Sequence, residues 1–463
     1  MVSVMLAAVL VIAGCGGDDD DDDAASDDTS ETTEASASDT TEASAELTDL
    51  GHGVTADTIK LGIAIGDYST IAQFVDFARG DQQAIAQVFV DDINASGGIL
   101  GRMVEPVYKT YPLLPGQQPD PLTLCTQWTE DEDVFAVLGV FIDFTGDGQL
   151  CVARDHETVH IGHELEQVWI DEAPGGLLLT PDSTKEQQAK VFITLLSEQG
   201  MLEGKTVAVV ADQDSEGRAN DVIAPALEEA GASLGSTAVL TITGEDTSQA
   251  QAQMDAFLEQ WQGEGVDTIF MAGLTVSAKQ FVQKIKEAMP DVQLIFDDDS
   301  TSQQGQDLAS EGVSPNPYDG SLSTRGRTDT ESWDDKTPLL QQCIDTYEAA
   351  TGETVIGPAE LQPDENGKKQ QVYIAVADFC GELVMFKAIA EKVGPELTNA
   401  NWQAAVDDFG AIELVGTNIA SLCAGKYAAD DEFRLVEWDS SVGASGDWSA
   451  LTDVQDASGG VCA

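Results

Sequence analysis

The feature of this sequence that constrains its fold most is a repeated alternation of short apolar runs with amphipathic stretches. The run Ile59–Ile65 is typical of a buried strand, and residues 77–96 have the pattern of a helix that ends at Gly97 and Gly98. Repeated strand–helix units of this length place parallel strands between two layers of helices. The alternation restarts after Thr180, so the sequence predicts an α/β fold with two doubly wound parallel-sheet lobes.

The charge of the chain argues against two classes of partner. Its 463 residues include 83 Asp or Glu and only 21 Lys or Arg, which gives a formal net charge of -62. Nucleic-acid binding and docking on anionic lipid head groups both depend on clustered basic residues. We therefore expect no nucleic-acid partner and no direct binding to a charged membrane surface. Hydrophobic residues make up 42% of the chain, which is enough for packed cores.

The N-terminal segment resembles an export signal that ends at a lipidation site. Residues 2–14 are almost wholly apolar, too short for a transmembrane helix but typical of a signal-peptide core. The run Ile12-Ala13-Gly14-Cys15 resembles a bacterial lipobox, so residues 1–15 are interpreted as a lipoprotein signal peptide with its lipidated cysteine. Residues 16–52 are acidic and rich in Ser and Thr, and we expect a disordered tether. The expected location is the outer face of the bacterial cytoplasmic membrane, at the cell surface or in the periplasm.

The cysteines are consistent with export. An even number in an exported chain indicates disulfides, although six cysteines allow 15 connectivities. The spacing contains no C-x-x-C pair that would suggest zinc or redox chemistry, and we expect neither a metal nor a cofactor. Apart from Cys15, the cysteines are Cys125, Cys151, Cys343, Cys380, Cys423 and Cys462.

One motif suggests a competing function. Residues 156–160 fit the pattern H-E-x-x-H, in which two histidines on one helical face bind zinc and the glutamate acts as a general base. Residues 159–161 instead have the pattern of a strand, so we do not expect an enzyme. A metal-binding protein or metal-dependent hydrolase that uses His156, His160 and His163 is kept as the alternative.

Four segments, taken in order, resemble the leucine/isoleucine/valine-binding proteins. Residues 53–62, Gly-Val-Thr-Ala-Asp-Thr-Ile-Lys-Leu-Gly, are similar to the opening strand of that family. Residues 93–102, Ile-Asn-Ala-Ser-Gly-Gly-Ile-Leu-Gly-Arg, resemble its first helix end and turn, and they are the most specific match. Residues 212–218 are similar to the loop that opens the second domain, and residues 425–438 to the closing strand region. The likeness covers about residues 53–440.

The resemblance implies a type I periplasmic binding protein fold, in which two α/β lobes are joined by three crossovers. Lobe one is expected to comprise residues 53–180 and 318–434, and lobe two residues 181–317 and 435–463. Family members deliver amino acids, amides or urea to ABC importers. The implied partners are therefore a small-molecule ligand and the importer's permease subunits, with the membrane reached through the lipid anchor only. We expect a monomer that captures a small amino acid, amide or amine by hinge closure; a ligand sensor of the same fold is a further alternative.

The expected elements also suggest how the cysteines pair. The first two lie on predicted helices that flank the strand 135–140, and the family often has a disulfide in that region. The third and fourth lie on successive predicted helices, which leaves the fifth to pair with the sixth. The expected disulfides are Cys125–Cys151, Cys343–Cys380 and Cys423–Cys462.

The ligand is expected beyond the carboxyl ends of the strands, where open parallel sheets bind their ligands. Six loops lie there, and acidic residues occur in five of them. This pattern indicates a cleft for an ammonium or another cationic group, although so acidic a chain also places acids in solvated loops. The expected ligand-binding residues are Asp67, Tyr68, Ser69, Phe141, Asp143, His163, Glu164, Asp214, Glu216, Gly273 and Asp298.

The resemblance adds detail to this cleft. Members of the family hold the ligand carboxylate with hydroxyls and backbone N–H groups that follow the strands corresponding to residues 135–140 and 159–161. The usual Ser/Thr pair is missing from this chain at those places. The acid that takes the ligand's amino group corresponds to Asp298. The resemblance thus implies the ammonium half of an amino-acid site and a ligand other than leucine.

Overall fold

The structure of the protein is a computed structural model. Within the residues that it describes, no helix is both long and apolar enough to cross a membrane. Cys15 and most of the expected tether lie outside those residues. The described residues are 47–72, 75, 77–113, 120–139, 145–213, 215–241, 248–273, 278–297, 302–442, 446–458 and 460–462.

The first part of the chain forms a five-stranded parallel sheet with the order β3-β1-β4-β5-β6. Apolar side chains such as Leu61 and Ile63 are buried on β1, an interior strand of this sheet. The elements are β1 (Thr58–Asp67), β2 (Phe77–Ala78), α1 (Gln82–Ala95), β3 (Met103–Pro112), α2 (Pro121–Thr126), β4 (Ala136–Leu138), α3 (Asp147–Leu150), β5 (Val159–Ile161), α4 (Gln167–Glu172) and β6 (Leu178–Leu179).

Helix α1 begins later than the sequence pattern predicts. The helix was expected from residue 77, but the structure begins it at Gln82. The side chain of Asp81 caps the helix by accepting a hydrogen bond from the N–H of Ala84, 3.1 Å away. Gly80 has a φ of +70°, outside the helical range, so the chain turns there. Residues 77–78 are therefore free to form the short strand β2.

The middle part of the chain repeats the strand–helix alternation, as expected. Its central strand β9 is buried along its whole length. The elements are α5 (Lys185–Glu198), β7 (Thr206–Asp212), α6 (Glu216–Arg218), α7 (Ala224–Glu229), β8 (Ser233–Leu240), α8 (Ser248–Glu264), β9 (Thr268–Ala272), α9 (Ala278–Ala288), β10 (Gln293–Phe296), α10 (Ser302–Ser310) and β11 (Leu322–Arg325).

The chain then returns to cover the first sheet. Helices α12, α13 and α14 pack into the same hydrophobic core as β1, β4 and β5. The elements are α11 (Asp329–Asp334), α12 (Pro338–Thr351), β12 (Lys369–Gln370), α13 (Val372–Val393), α14 (Asn399–Asp407), β13 (Gly410–Ala411), β14 (Ser421–Leu422), β15 (Glu432–Asp439), β16 (Asp447–Ala450) and β17 (Gln455–Asp456).

The second sheet has the order β16-β15-β11-β10-β9-β7-β8, with β17 also paired to β15. Its strands β7 to β11 are parallel, and β15 runs antiparallel to β11. Strand β11 therefore belongs to the second sheet, although the expected division at residue 318 assigns it to lobe one. We propose that the second crossover follows Arg325 and the third precedes Glu432.

Segments that connect the two sheets run side by side. The N–H of Ala429 donates to the carbonyl of Thr180 over 3.0 Å, and the N–H of Asp430 donates to that of Asp182 over 3.4 Å. With the connection between β11 and α11, these segments make three crossings between the lobes. Adjacent crossovers of this kind form a hinge about which two lobes rotate.

Three disulfides lie in the described part of the chain, and they confirm the expected pairing. Cys125 and Cys151 have Cα atoms 6.1 Å apart, beside the first sheet. The Cys343–Cys380 bridge joins α12 to α13, and both of its cysteines are buried. The remaining bridge joins Cys423 to Cys462 near the C-terminus.

Replacing Cys343 and Cys380 together with alanine should lower the free energy of unfolding by about 2–4 kcal/mol, because the bridge closes a loop that is otherwise free in the unfolded chain. Their sequence separation is 37 residues. Denaturant unfolding of the oxidised wild type and the double variant measures this difference. Equal stabilities, or free thiols at these positions in non-reducing peptide mapping of the wild type, would contradict the assignment.

Candidate functional site

The carboxyl ends of the two parallel sheets face each other. Glu166 follows β5 of the first sheet, and Arg218 follows β7 of the second. Their side chains form an ion pair and a hydrogen bond. Since ligands of open parallel sheets bind at this edge, the space beside the contact is the candidate cleft.

On the second lobe, Arg218 is the centre of a buried polar cluster. It is 8% exposed, donates to the hydroxyl of Ser215 over 3.1 Å, and lies 3.1 Å from a carboxylate oxygen of Asp297. The other oxygen of Asp297 accepts from the N–H of Gly273 over 3.2 Å. Gly273 has a φ of +69°, and a Cβ there would lie 2.1 Å from the Ser215 hydroxyl, so this position requires glycine. Arg218 and the Gly273 N–H therefore already hold the Asp297 carboxylate.

Two glutamates, Glu166 after β5 and Glu186 on α5, lie close together beside this cluster. Burial, with the neighbouring charge of Glu186 and a hydrogen bond to it, raises the pKa of Glu166, whereas Arg218 acts to lower it. Glu186 also accepts from the N–H of Gln167 over 2.6 Å. Because Glu186 lies on α5 just after the first crossover, the cluster links the hinge to both walls of the cleft.

His163, an expected ligand residue, instead joins the first crossover to helix α13. Its Nδ1 lies 2.7 Å from Asp182, and its Nε2 lies 2.7 Å from Glu382. Burial alone would lower the pKa of His163, but the charges and hydrogen bonds of Asp182 and Glu382 raise it well above its usual value. The imidazolium donates to both carboxylates at once, so we assign His163 to positioning the hinge.

A second positively charged side chain, that of Arg79, lies on the first-lobe side of the candidate cleft. Arg79 lies 3.7 Å from Asp378, which is one helical turn before Glu382 on α13. Its guanidinium carbon lies 5.5 Å from the ring centre of Tyr68 and 5.6 Å from that of Phe77. Tyr68 directly follows the carboxyl end of β1, so this group lies at the cleft edge of the first sheet.

Other expected ligand residues use their polar groups locally. The carboxylate of Asp67 accepts from the N–H and the hydroxyl of Ser69, at 3.0 and 2.5 Å, and so caps the turn that contains Tyr68. Glu164 forms an ion pair with Lys185. Glu216 is exposed at the start of α6. Phe141, Asp143, Asp214 and Asp298 lie outside the described residues.

The histidines of the H-E-x-x-H motif do not form a zinc site. His160 lies on β5, where its Nδ1 is 3.0 Å from the carbonyl oxygen of Val137 and burial lowers its pKa to about 4. His156 precedes the strand and lies 3.6 Å from Glu130. Within the described residues, the group close enough to bind a metal combines His156 with two cysteines that are joined in a disulfide. The strand geometry therefore removes the basis of the metal-dependent hydrolase.

Several residues of the cleft were missed by the sequence analysis. Arg79 is the sole basic residue between Lys60 and Arg102, which is conspicuous in a loop after the first strand. Asp378 and Glu382 are acids four residues apart in the mostly apolar first part of helix α13, residues 372–386. Such acids inside an apolar helix are a signal that could have indicated the cleft.

Two parallel-sheet lobes, three crossovers and a polar cleft at the carboxyl ends define a type I binding protein. The chain belongs to the periplasmic binding protein family, whose model matches residues 58–444. The fold and family expected from the sequence are thus confirmed. A comparison with curated protein sequences found no match.

Solved structures with this fold include three that are similar over most of their length. A fatty acid ABC transporter substrate-binding protein from Thermomonospora curvata is 15% identical, with a TM-score of 0.62 over 89% of this chain and 95% of that one. An ABC transporter solute-binding protein from R. palustris, in complex with 4-hydroxybenzoate, is 15% identical, with a TM-score of 0.61 over 88% and 100%. A leucine binding protein from Thermotoga maritima is 11% identical, with a TM-score of 0.60 over 86% and 99%.

Proposed function

We propose that this chain is the solute-binding subunit of an ABC importer and works outside the cytoplasmic membrane. Membership of the periplasmic binding protein family supports this role. The three similar structures support it as well, because two come from ABC transporters and the third is a leucine binding protein. The ligand proposed from the sequence is a small amino acid, amide or amine.

The observation that carries the proposal is the contact between Glu166 and Arg218 across the carboxyl edges of the two sheets. The contact lies beside the first crossover, so rotation about the hinge changes the width of the cleft. A ligand that touches both walls stabilises the closed state by its differential affinity for it. Proposed contacts in the cleft include Tyr68, Gly273 and Asp298, of which Asp298 is the candidate partner for an ammonium.

Native mass spectrometry of the purified protein tests this function directly, since a retained ligand adds its own mass. Small-angle scattering with and without that ligand should then show a decrease in the radius of gyration. A co-purified metal together with hydrolytic activity would favour the metal-dependent alternative. Absence of binding and compaction with amino acids, amides, amines and organic acids would contradict the proposal.

The lipid anchor is proposed from Cys15, and Cys15→Ser should abolish it. The variant lacks the thiol that would carry the lipid, so membrane fractionation of cells that express it should show unprocessed or released protein. A conservative change in the tether, Ser26→Ala, is the matched control and should leave the protein in the membrane fraction. Normal cleavage and membrane retention of Cys15→Ser would rule out lipidation at this residue.

A further inference from the structure

Arg79 carries a positive charge and a buried N–H group that donates to no partner among the described residues. Its side chain is 14% exposed, and its ion pair within the described residues is the 3.7 Å contact with Asp378. This distance is longer than a hydrogen bond. The buried group is the Nε–H, which has no hydrogen-bond acceptor among the described residues. A guanidinium presents five donors in a planar fork, so the Nε–H is one donor of a fork for which the described residues supply a charge but no hydrogen-bond acceptor at that position.

Hydrogen bonds hold the backbone next to Arg79 in place, so the point from which its side chain extends is fixed. Strand β2 pairs with β12, and the N–H of Gln371 donates to the carbonyl of Ala78 over 2.8 Å. The ammonium of Lys368 donates to the carbonyl oxygens of Ala72 and Val75. The short ribbon thereby fixes the segment that carries Arg79 against the start of α13. Fixed donors lose little entropy when they bind a partner.

Two aromatic rings accompany the guanidinium. The rings of Tyr68 and Phe77 are 5.9 Å apart, and both lie within cation–π distance of Arg79. Both side chains are only partly buried, which leaves apolar surface beside the charge. A ligand that pairs with the guanidinium would pack its apolar body against these rings.

We propose that Arg79 binds the carboxylate of the transported solute and that the solute is an organic acid with an apolar or aromatic body. A carboxylate matches the guanidinium fork with two parallel hydrogen bonds. The guanidinium would also supply the donors that the Ser/Thr pair, missing from the sequence after β4 and β5, supplies to the ligand carboxylate in an amino-acid binder. The inference rests on the proposed solute-binding function, and it replaces the small amino acid, amide or amine proposed from the sequence with an organic acid.

The negative charge of Asp378 opposes the binding of a carboxylate at Arg79. Its charge repels a ligand carboxylate, and a cationic ligand would be attracted to it. Burial, with Asp182 and Asp329 nearby, raises the pKa of Asp378, although His163 and Arg79 act to lower it. Because its contact with Arg79 is long, a bound carboxylate displaces no short hydrogen bond. The positive charge of Arg79 would repel a cationic ligand placed beside Asp378, so the pair of side chains favours the acid.

Matched acid–amide pairs distinguish the two outcomes. The probes are 4-hydroxybenzoate, octanoate and leucine, each compared with its amide, together with tyramine as an amine. Binding is measured by isothermal titration and compaction by small-angle scattering. We expect at least one acid to bind at least 30-fold more tightly than its amide. We expect Arg79→Gln to weaken that acid by roughly 30- to 1000-fold, as when one member of a buried charge pair is removed.

Two further variants make the test specific. Arg79→Lys keeps the charge and loses the planar fork, and should bind the acid with an intermediate affinity. Arg154→Gln removes an exposed arginine that pairs with Asp155 and Glu172 before β5, at the opposite edge of the sheet, and should bind like the wild type. If an amide or tyramine binds with compaction at least as tightly as every acid, or if Arg79→Gln leaves the affinity for the acid unchanged, the inference about Arg79 is wrong while solute binding stands. If no probe binds or compacts the protein, both the inference and the proposed function fail.

Discussion

Replacing Arg218 with methionine should lower the free energy of unfolding by about 3–5 kcal/mol, the range for removing one partner from a buried ion pair. The guanidinium is 8% exposed and contacts Asp297, Glu166 and Ser215. Methionine fills similar space but supplies no donor. Asp297, which is 3% exposed, would keep its negative charge but lose the guanidinium that lies 3.1 Å from its carboxylate.

Urea unfolding at neutral pH measures this effect. The matched control is Lys279→Met, which removes a cation from the exposed pair with Glu311 and should cost no more than about 1 kcal/mol. The double variant Arg218→Met with Asp297→Leu should be more stable than Arg218→Met alone, because it removes the buried charge that the single change leaves behind. If Arg218→Met unfolds at the same urea concentration as the wild type, the cluster does not stabilise the closed arrangement of the lobes.

Replacing His163 with glutamine should lower the free energy of unfolding by about 3 kcal/mol at pH 6. This value is at the lower end of the range for breaking a buried ion pair, because Asp182 is half exposed whereas Glu382 is 2% exposed. Glutamine is neutral, so it cannot supply the positive charge with which both carboxylates pair. The control is His156→Gln, a change at a partly exposed histidine. It removes only the 3.6 Å contact with Glu130 and should alter stability by less than about 1 kcal/mol.

The loss of stability in His163→Gln should also depend on pH, and the pKa of His163 determines the direction of that dependence. Its pKa is raised above the unfolded value of about 6.5 by Asp182 and Glu382, against the lowering effect of burial. The stabilisation is therefore fully present below pH 6.5 and is lost as the pH rises through the higher folded pKa. The difference in stability between wild type and His163→Gln should thus shrink from pH 6 towards alkaline pH. A difference that grows with pH would show that His163 is neutral in the folded protein.

Much of the fold follows from local patterns. Ile59–Ile65 and Thr268–Met271 are apolar runs bounded by turn residues, and they form the buried parallel strands β1 and β9. Cysteine pairing was predictable for a related reason. For the first two pairs, the order of helices and strands places the cysteines on neighbouring elements, and the pair Cys423–Cys462 followed by elimination. The start of α1 was not predictable from periodicity, because the Asp81 cap and the turn at Gly80 override the apolar pattern of residues 77–81.

The candidate site was predictable only in its location. Parallel strands carry their ligands at their carboxyl ends, so the loops that contain Tyr68, His163 and Gly273 could be identified from the strand pattern. The partner of each side chain could not be identified in this way. His163 meets Glu382 across 219 positions of sequence, and Arg79 meets Asp378 across nearly 300. No local pattern reports such distant pairs.

The sequence by itself thus determined the class of fold, suggested the disulfide pairing and indicated the edge of the sheets at which we propose that a ligand binds, because these depend on local periodicity and on the order of elements. Only the tertiary structure decided which charges remain available to a ligand. It places His163, an expected ligand contact, between Asp182 and Glu382, and it pairs Arg218 with Asp297. It leaves Arg79 with a distant counter-charge. The physical reason is that burial makes each charge depend on its nearest partner, and such partners come from distant parts of the chain, as Asp378 and Glu382 of α13 do.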